Sequence, residues 1–404
     1  MQHYASIALA VSLFLGGRSP MMAASPNADS PEKECPDIRS VAPDLTTPEM
    51  TAGEPAPGKR VKCVAPERRD TDVYHALYLP TDWKPGGRYP VIVEYAGNGP
   101  YRNAHGDVSL GCPEGSSLGY GISGGKGFIW ICMPCVDPQN QRNARMWFGD
   151  ISSTVEYARK TVRRVCEEYG GDPGAVIVTG FSRGALACWR VGLHSDEIAD
   201  VWLAFIPYGE CDGVRVAMPW PGCDRPSALA RLARLKGRAS FVCQEATAGK
   251  TFDLAATRRY LGETGIVAPF TFQEIAFRNH NDQWTLRDIP ERRALRAWLE
   301  GVLEERPGTH SIRGRVVDRE GRPLAGVRVR SGYTHWADTG PDGRYEIRGI
   351  IDGGRAVMPE KIGCAFTPAE REATLKGEDV NGVDFEAAAS PPPPKGSHDA
   401  TQSR

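Results

Sequence analysis

The sequence predicts a large α/β domain, with a mostly parallel sheet and helices on both faces, followed by a small all-β domain. Between residues 60 and 304, short β-rich runs alternate with segments of helical periodicity. Residues 175–190, AVIVTGFSRGALACWR, have the pattern of a buried strand, a sharp turn and a helix. Residues 308–388 instead contain short alternating strands joined by turns rich in Gly and Pro. Alternation of strands and helices is typical of a parallel sheet, and successive short strands are typical of an all-β module.

Composition limits the classes of partner. The chain has 404 residues, of which 41% are hydrophobic and 25% are charged, so it is long enough for one large and one small domain. Its formal net charge is −1, which gives no long-range attraction to nucleic acid or to an acidic membrane. We therefore expect a small molecule or a neutral polymer as substrate, and no nucleic acid.

The two ends of the chain differ from its middle. Residues 1–24 contain an apolar run at 7–15 followed by small residues, which predicts a signal peptide and a secreted or periplasmic location. That run is too short for a stable membrane span. Residues 25–58 lack apolar periodicity and are predicted to be a linker. Residues 389–404 include four consecutive prolines and are predicted to be a disordered tail.

The elements of the large domain follow from periodicity and turn signals. Strands are predicted at 60–64, 73–79, 90–95, 127–133, 175–179, 201–206, 239–243 and 270–277. Helices are predicted at 150–169, after Gly184, and at 228–236, 253–262 and 289–304. Asp150 is a good N-cap, and apolar residues then recur at spacings of three and four until Gly170. The glycine-rich stretch 103–126 is predicted to be a long surface loop.

The turn at residues 180–184, GFSRG, matches the pattern G-x-S-x-G. A serine at such a turn has strained backbone, and a side chain two residues to either side would collide with the neighbouring strand or helix. The alternative is a structural turn with an idle serine. The strand before the turn and the helix after it favour Ser182 as an exposed nucleophile.

With these features residues 61–306 resemble an α/β-hydrolase, within a catalytic domain predicted at 59–306. The resemblance is to secreted serine esterases that include polyhydroxybutyrate depolymerases, feruloyl esterases and acetylxylan esterases. It implies a nucleophile, an acid and a histidine in that chain order, and it implies no cofactor.

The resemblance also implies where the other two groups lie. His280 stands between the last predicted strand and the last predicted helix, where the family keeps its base. The acid follows the strand at 239–243, where Glu245 is preferred over Asp253 because of its position alone. Asp253 would otherwise supply negative charge at the start of a helix.

An oxyanion hole needs two backbone N–H groups that converge on one oxygen. The resemblance assigns them to Arg183 and to Gly97 or Asn98, in the loop after the strand at 90–95. The alternative for that loop is an ordinary glycine turn. Substrate contacts are predicted from Arg145 and Trp147, unless this polar loop is solvated and Trp147 packs into the core.

The chain has eleven cysteines, and in an exported protein they predict disulfides. Cys211 and Cys223 flank a proline-containing loop and are the best local pair. No histidine lies beside a pair of cysteines, so no metal site is predicted.

Residues 308–388 resemble the carboxypeptidase regulatory-like, prealbumin-type β-sandwich that accompanies secreted enzymes. The turns EGRP and PDG join its predicted strands. The resemblance implies either a docking module or a spacer, and no residue in it has a catalytic pattern.

These predictions favour a secreted serine esterase that cleaves carboxylic esters, with a small-molecule, polysaccharide-linked or polyester substrate. One alternative is a serine peptidase of the same fold. The other is a non-catalytic surface binding protein on a degenerate hydrolase scaffold.

Overall fold

A computed structural model describes residues 35–216, 218–246, 253–306, 310–332 and 335–389. The predicted signal peptide at 1–24 and residues 390–404 of the predicted tail lie outside the described residues. The prediction of one α/β domain followed by one all-β domain is confirmed.

The large domain is built on a single nine-stranded sheet. In chain order its strands are β1 (Met50–Thr51), β2 (Arg60–Cys63), β3 (His75–Tyr78), β4 (Tyr89–Tyr95), β5 (Ile129–Met133), β6 (Gly171–Phe181), β7 (Ala204–Tyr208), β8 (Ala239–Glu245) and β9 (Phe270–Ile275). Their order across the sheet is β1-β2-β3-β5-β4-β6-β7-β8-β9. Only β3 runs antiparallel to its two neighbours, and every other pair is parallel.

The centre of the sheet is buried on both faces. In β6, Val176, Ile177 and Val178 are fully buried, and they pair with β4 on one side and β7 on the other. Such continuous β-branched runs are expected where helices cover both faces of a parallel sheet. Because the six strands from β4 to β9 are all parallel to one another, their carboxyl ends lie at the same edge of the sheet.

Seven α-helices lie in the described part of the chain. They are α1 (Leu118–Ser123), α2 (Ile151–Tyr169), α3 (Arg183–Arg190), α4 (Asp196–Ala199), α5 (Arg225–Leu232), α6 (Leu254–Glu263) and α7 (Pro290–Glu304). Short 3-10 turns occur at Ile38–Ser40, Pro66–Arg68, Pro113–Gly115, Ala233–Leu235 and Asp282–Leu286. As predicted, Asp150 caps α2 by accepting from the Ser153 N–H. Among the described residues, none of these helices combines the length and apolarity needed to cross a membrane.

The prediction of a surface loop over 103–126 is wrong for its second half. Helix α1 lies there, with Leu118 and Ile122 buried. The buried Glu94 carboxylate on β4 accepts hydrogen bonds from the N–H groups of Leu118 and Gly119 at 3.1 and 2.8 Å. The helix begins where the distant β4 carboxylate satisfies its first donors, a contact that local glycine content does not reveal.

Residues 35–58 also depart from the predicted linker. Ile38 is buried, and its N–H donates to the Asn279 Oδ1 at 2.7 Å. Asp44 forms a two-pronged ion pair with the buried Arg292 of α7 at 2.6 and 2.7 Å. This segment is therefore attached to the loop and helix that follow β9.

The disulfide prediction is wrong for the pair Cys211 and Cys223. Both side chains are buried, and neither is bonded to another cysteine. The Cys223 thiol instead accepts a hydrogen bond from Arg190 at 3.3 Å. Cys132 and Cys243 are likewise buried within strands, where a thiol packs as a small apolar group.

The C-terminal domain is a sandwich of two four-stranded sheets. Its strands are β10 (His310–Asp318), β11 (Arg328–Ser331), β12 (His335–Asp338), β13 (Arg344–Ile350), β14 (Gly353–Glu360), β15 (Cys364–Thr367), β16 (Arg371–Leu375) and β17 (Phe385–Ala389). One sheet has the order β13-β10-β17-β15 and the other has the order β12-β11-β14-β16. Their inner faces meet in a core that includes Val316, Val329, Ile347 and Val357.

Candidate active site

Ser182 lies at the turn between β6 and α3, at the carboxyl edge of the sheet. Its backbone has φ 54° and ψ −117°, a strained conformation for a residue other than glycine. The Ser182 N–H donates to the Tyr208 carbonyl at the end of β7 at 2.8 Å, which holds the turn against the sheet. The strained turn lifts the Ser182 side chain out of the buried strand, as predicted for this motif.

The turn also requires close backbone contact. A Cβ at Gly184 would lie 2.0 Å from the Tyr95 carbonyl oxygen and 2.6 Å from that of Ala96. Helix α3 therefore begins directly against the end of β4 and the loop that follows it. The glycine is needed because backbone atoms there cannot move aside as a flexible side chain would.

We expect Gly184→Ala to lower the free energy of unfolding by several kcal/mol, because the new methyl group collides with fixed backbone. Gly262→Ala is the matched control, since Gly262 lies in α6 and a Cβ added there would meet no atom within 4 Å. That substitution should raise the free energy of unfolding by up to about 1 kcal/mol, through helix propensity. Urea denaturation of the two variants measures both effects. Equal and small changes would contradict the close contact at Gly184.

His280 and Glu245 complete a chain of hydrogen bonds that starts at Ser182. The Ser182 Oγ lies 2.9 Å from the His280 Nε2, and the His280 Nδ1 lies 2.7 Å from the Glu245 Oε1. Glu245 ends β8 and is 5% exposed, whereas the His280 side chain is 22% exposed. A hydroxyl, an imidazole and a carboxylate are thus in line, with the hydroxyl at the accessible end.

Asp253, the second carboxylate considered for this place, has a different role. It caps α6, where its side chain accepts from the Ala256 N–H at 2.7 Å. Of the two acids, the structure brings only Glu245 to the His280 ring.

Asp107 is a buried carboxylate that fixes the loop carrying the histidine. Its Oδ1 accepts from the side-chain amides of Asn279 and Asn281 at 2.8 and 2.7 Å. Its Oδ2 accepts from the His280 N–H at 2.9 Å and from the Asn103 amide at 2.7 Å. Burial raises the pKa of Asp107, but these hydrogen bonds outweigh it and hold the pKa below the usual value. Asp107 therefore holds residues 279–281 in place by accepting a hydrogen bond from each of them.

No sequence pattern marks Asp107 as a site residue. It lies in a glycine-rich stretch with no periodicity, and three of its partners are more than 170 positions away along the chain. The only local signal was the pair Asn103 and Asp107, since Asn103 Oδ1 accepts from the Asp107 N–H within one tight turn.

The loop predicted to supply an oxyanion hole lies beside the start of α3. Gly97 approaches Phe181 so closely that a Cβ would lie 2.7 Å from its ring. The Asn98 side chain accepts from the Trp147 N–H at 2.7 Å, so its amide points into the supporting structure. Arg183 is the first residue of α3, where backbone N–H groups have no partner within the helix. The loop that holds Gly97 and Asn98 therefore lies next to the start of α3, and the oxyanion hole stays a prediction.

The structure contradicts one predicted substrate contact, Trp147, while the other, Arg145, stays a prediction. Trp147 is 4% exposed, packs edge-on against Tyr95 at 5.6 Å, and donates its indole N–H to the Ala96 carbonyl at 2.7 Å. Because its ring is buried, Trp147 supports the loop before Gly97 and does not face a substrate. Arg145 is exposed, and its Nε donates to the Leu110 carbonyl at 3.1 Å.

A charged cluster forms the wall on the α3 side of Ser182. Arg183 donates to the Glu210 carboxylate at 2.6 Å, and Arg215 lies 3.7 Å from the same carboxylate. The Arg183 guanidinium also lies 5.1 Å from the centre of the Trp220 ring. Burial raises the pKa of Glu210, and the two arginines oppose that rise. The wall thus carries two positive charges against one carboxylate.

The strand order, with a serine on a strand–turn–helix and a histidine after the last strand, is that of an α/β-hydrolase fold. The site places a Ser-His-Glu hydrogen-bond chain at the carboxyl edge of its sheet, where ligands bind in open α/β sheets.

Neither a protein family model nor a curated protein matches the sequence. Solved structures that are similar include a thermostable esterase, with 17% identity over 60% of this chain and 62% of that chain, and a TM-score of 0.40. A fungal esterase from Rhizomucor miehei has 13% identity over 57% and 79%, with a TM-score of 0.41. Esterase 2 of Thermogutta terrifontis, phosphorylated by paraoxon, has 16% identity over 62% and 94%, with a TM-score of 0.41. The match spans less than two thirds of the thermostable esterase, and at these values the likeness does not assign a function.

Proposed function

We propose that the protein is a serine hydrolase that cleaves carboxylic esters through an acyl-enzyme. The observation that carries the proposal is the chain from Ser182 through His280 to Glu245, with contacts of 2.9 and 2.7 Å. A serine hydroxyl is a weak nucleophile unless a neighbouring base takes its proton, and a neutral imidazole within hydrogen-bonding distance is such a base.

In the proposed reaction, the His280 Nε2 takes the Ser182 proton as Oγ attacks the ester carbonyl. Glu245 accepts from Nδ1–H, which selects the tautomer with a free Nε2 and stabilises the imidazolium that forms. The negative oxygen of the tetrahedral intermediate accepts from the N–H groups of Arg183 and of Gly97 or Asn98. His280 then protonates the leaving alcohol, and water attacks the acyl-enzyme by the reverse sequence to regenerate Ser182.

The first experiment compares p-nitrophenyl acetate with peptidyl p-nitroanilides on the purified full chain. We expect ester hydrolysis with kcat/KM at least about a hundredfold above amide hydrolysis, since amides have the poorer leaving group. Preference for the peptidyl substrates would favour the peptidase alternative. Acetylated, feruloylated and polyester substrates then identify the acyl and alcohol parts.

Glu245→Gln is expected to lower kcat by about 10⁴-fold, because an amide at this position can donate to Nδ1 and favour the wrong tautomer. Asp253→Asn is the matched control, since asparagine caps a helix as well as aspartate does. It should leave kcat unchanged. Initial rates with p-nitrophenyl acetate measure both. A large loss in the Asp253 variant with none in the Glu245 variant would reverse the assignment.

Asp107 is proposed as a positioning residue for His280. Asp107→Ala removes four hydrogen bonds, three from residues 279–281 and one from Asn103. A displacement of a catalytic group by about 1 Å lowers the rate about a hundredfold. We therefore expect kcat to fall by about that factor, while KM changes little.

The control for Asp107 is Asp70→Ala, at an exposed position. Both variants are compared by steady-state kinetics and by the rate of labelling with a fluorophosphonate. A melting temperature lowered in Asp107→Ala without any loss of kcat would show that the carboxylate only stabilises the fold.

An exported location remains part of the proposal, on the basis of the N-terminal residues alone. N-terminal sequencing of the mature protein tests it, with a start near residue 25 as the expected result.

The resemblance of the sandwich to carboxypeptidase regulatory-like modules also remains a prediction.

A further inference from the structure

A cavity of about 300 Å³ lies between the large domain and the sandwich, which belong to one compact unit. On the hydrolase side, it is lined by residues at the amino ends of β7 and β8, opposite to the edge that carries Ser182. On the sandwich side, it is lined by the ends of β11, β13 and β14. Small-molecule sites typically have volumes of about 300–1,000 Å³ and occur preferentially between domains.

Much of the cavity wall is apolar. Its apolar side chains come from both domains and include Val201, Leu203, Pro269, Val302, Ile350 and Ile351. Such a wall suits the hydrocarbon part of a ligand, because contact with it removes apolar surface from water.

Two polar atoms in the sandwich wall have no hydrogen-bond partner among the residues that the structure describes. They are the Arg355 Nε and the Ser331 Oγ, both buried. Ser331 is opposite Val357 in the β11–β14 ladder, and Arg355 is two residues before Val357, so Ser331 and Arg355 face the same side of the sheet as diagonal neighbours. A buried donor without a partner costs free energy that an acceptor on a ligand would recover.

The charges around the cavity favour an anionic acceptor. Three cations share the Asp200 carboxylate: Arg355 at 3.2 Å, and Arg238 and Lys236 at 3.7 Å each. Lys236 and Asp196 pair at 3.0 Å but are 52% and 64% exposed, so solvent screens both charges. Within the cavity wall, Arg355 and Arg238 are therefore two cations against the single Asp200 carboxylate.

The remaining charged groups do not cancel this excess within the cavity. Glu197 and Glu305 also line it, but both are exposed, and solvent screens their charge. Burial lowers the pKa of His335 to about 4, so its ring adds no charge at neutral pH. Arg238 uses its donors on the carbonyls of Leu235, Ala199 and Arg234, which leaves Arg355 as the guanidinium with a donor to offer.

We infer that this cavity binds a monocarboxylate with a small apolar body, of the size of benzoate or hexanoate. The carboxylate accepts from the Arg355 Nε–H and the Ser331 hydroxyl, and the apolar body packs between the two domains. The site is separate from the proposed catalytic centre and does not depend on the proposed hydrolase activity.

Isothermal titration calorimetry of the full chain with benzoate and with hexanoate tests the inference. Benzyl alcohol and 1-hexanol are the matched neutral ligands, with the same apolar bodies. We expect one molecule of either acid to bind per chain. Its dissociation constant should be at least about tenfold below that of the matched alcohol, because the alcohol cannot form the hydrogen bond that a charged carboxylate accepts. Equal binding of acids and alcohols, or no binding of either acid, would overturn the inference.

Two variants locate the bound acid. Arg355→Lys keeps a positive charge near Asp200 but removes the Nε donor, and Ser331→Ala removes a hydroxyl that has no described partner in the free protein. Each should raise the dissociation constant for benzoate about tenfold, while the melting temperature without ligand shows that both variants fold. Arg348→Lys, at an exposed arginine outside the cavity, should bind as wild type. Wild-type affinity in both cavity variants would place the acid elsewhere, including at Ser182, and would refute the site.

Discussion

Ser182→Ala is expected to abolish labelling by a fluorophosphonate and to lower kcat for p-nitrophenyl acetate by about 10⁶-fold. The expectation follows from the position of Oγ, 2.9 Å from the His280 Nε2, at a strained turn that lifts the hydroxyl out of the sheet. Alanine removes only the nucleophile, because the turn is held by backbone contacts and by Gly184. Mass spectrometry of the labelled protein measures the first effect, and initial rates measure the second.

Ser195→Ala is the matched control for this variant. Ser195 lies between α3 and α4, away from the active site, and its hydroxyl donates a hydrogen bond to the Glu197 carboxylate. It should keep wild-type rates and labelling. If the wild-type protein itself failed to react with the fluorophosphonate, the alternative of a non-catalytic binding protein on this scaffold would gain support.

His280→Ala is the second large expected effect, a loss in kcat of about 10⁶-fold with KM changed little. Without the imidazole, no group within hydrogen-bonding distance of Ser182 among the described residues takes its proton. In the variant Asp107 still accepts hydrogen bonds from the backbone N–H of residue 280 and from the side-chain amides of Asn279 and Asn281, so the loop should keep its shape.

His194→Ala provides the control for the histidine, since this residue is exposed and lies after α3. The pair is compared by initial rates across a range of pH and by thermal unfolding. Full esterase activity in His280→Ala would show that another group acts as the base and would remove the basis of the proposed mechanism.

Arg183, Glu210 and Arg215 form the charged wall next to Ser182. Arg183 contributes its backbone N–H to the proposed oxyanion hole while its side chain is held by Glu210 at 2.6 Å. The side-chain pair therefore fixes the residue that follows the nucleophile. This contact joins residues 27 positions apart, so no local sequence pattern predicts it.

The sequence alone determined the α/β class, the all-β second domain and the residue at the strand–turn–helix. Those features depend on periodicity and on a glycine pattern within a few consecutive residues around Ser182, where local sterics decide the conformation. The resemblance to α/β-hydrolases implied His280 as the base, from its place after the last strand. Position alone favoured Glu245 over Asp253, and the structure brings Glu245 to the His280 ring while Asp253 caps α6.

Only the tertiary structure decided the rest. It brought Asp107 to the histidine loop across 173 positions, turned Trp147 into the interior and packed the thiols of Cys211 and Cys223 without joining them. It also set Ser331 and Arg355 as diagonal neighbours on one face of a sheet at the domain junction. Each of these depends on which distant segments the packed sheets bring together, and neither periodicity nor turn chemistry carries that information.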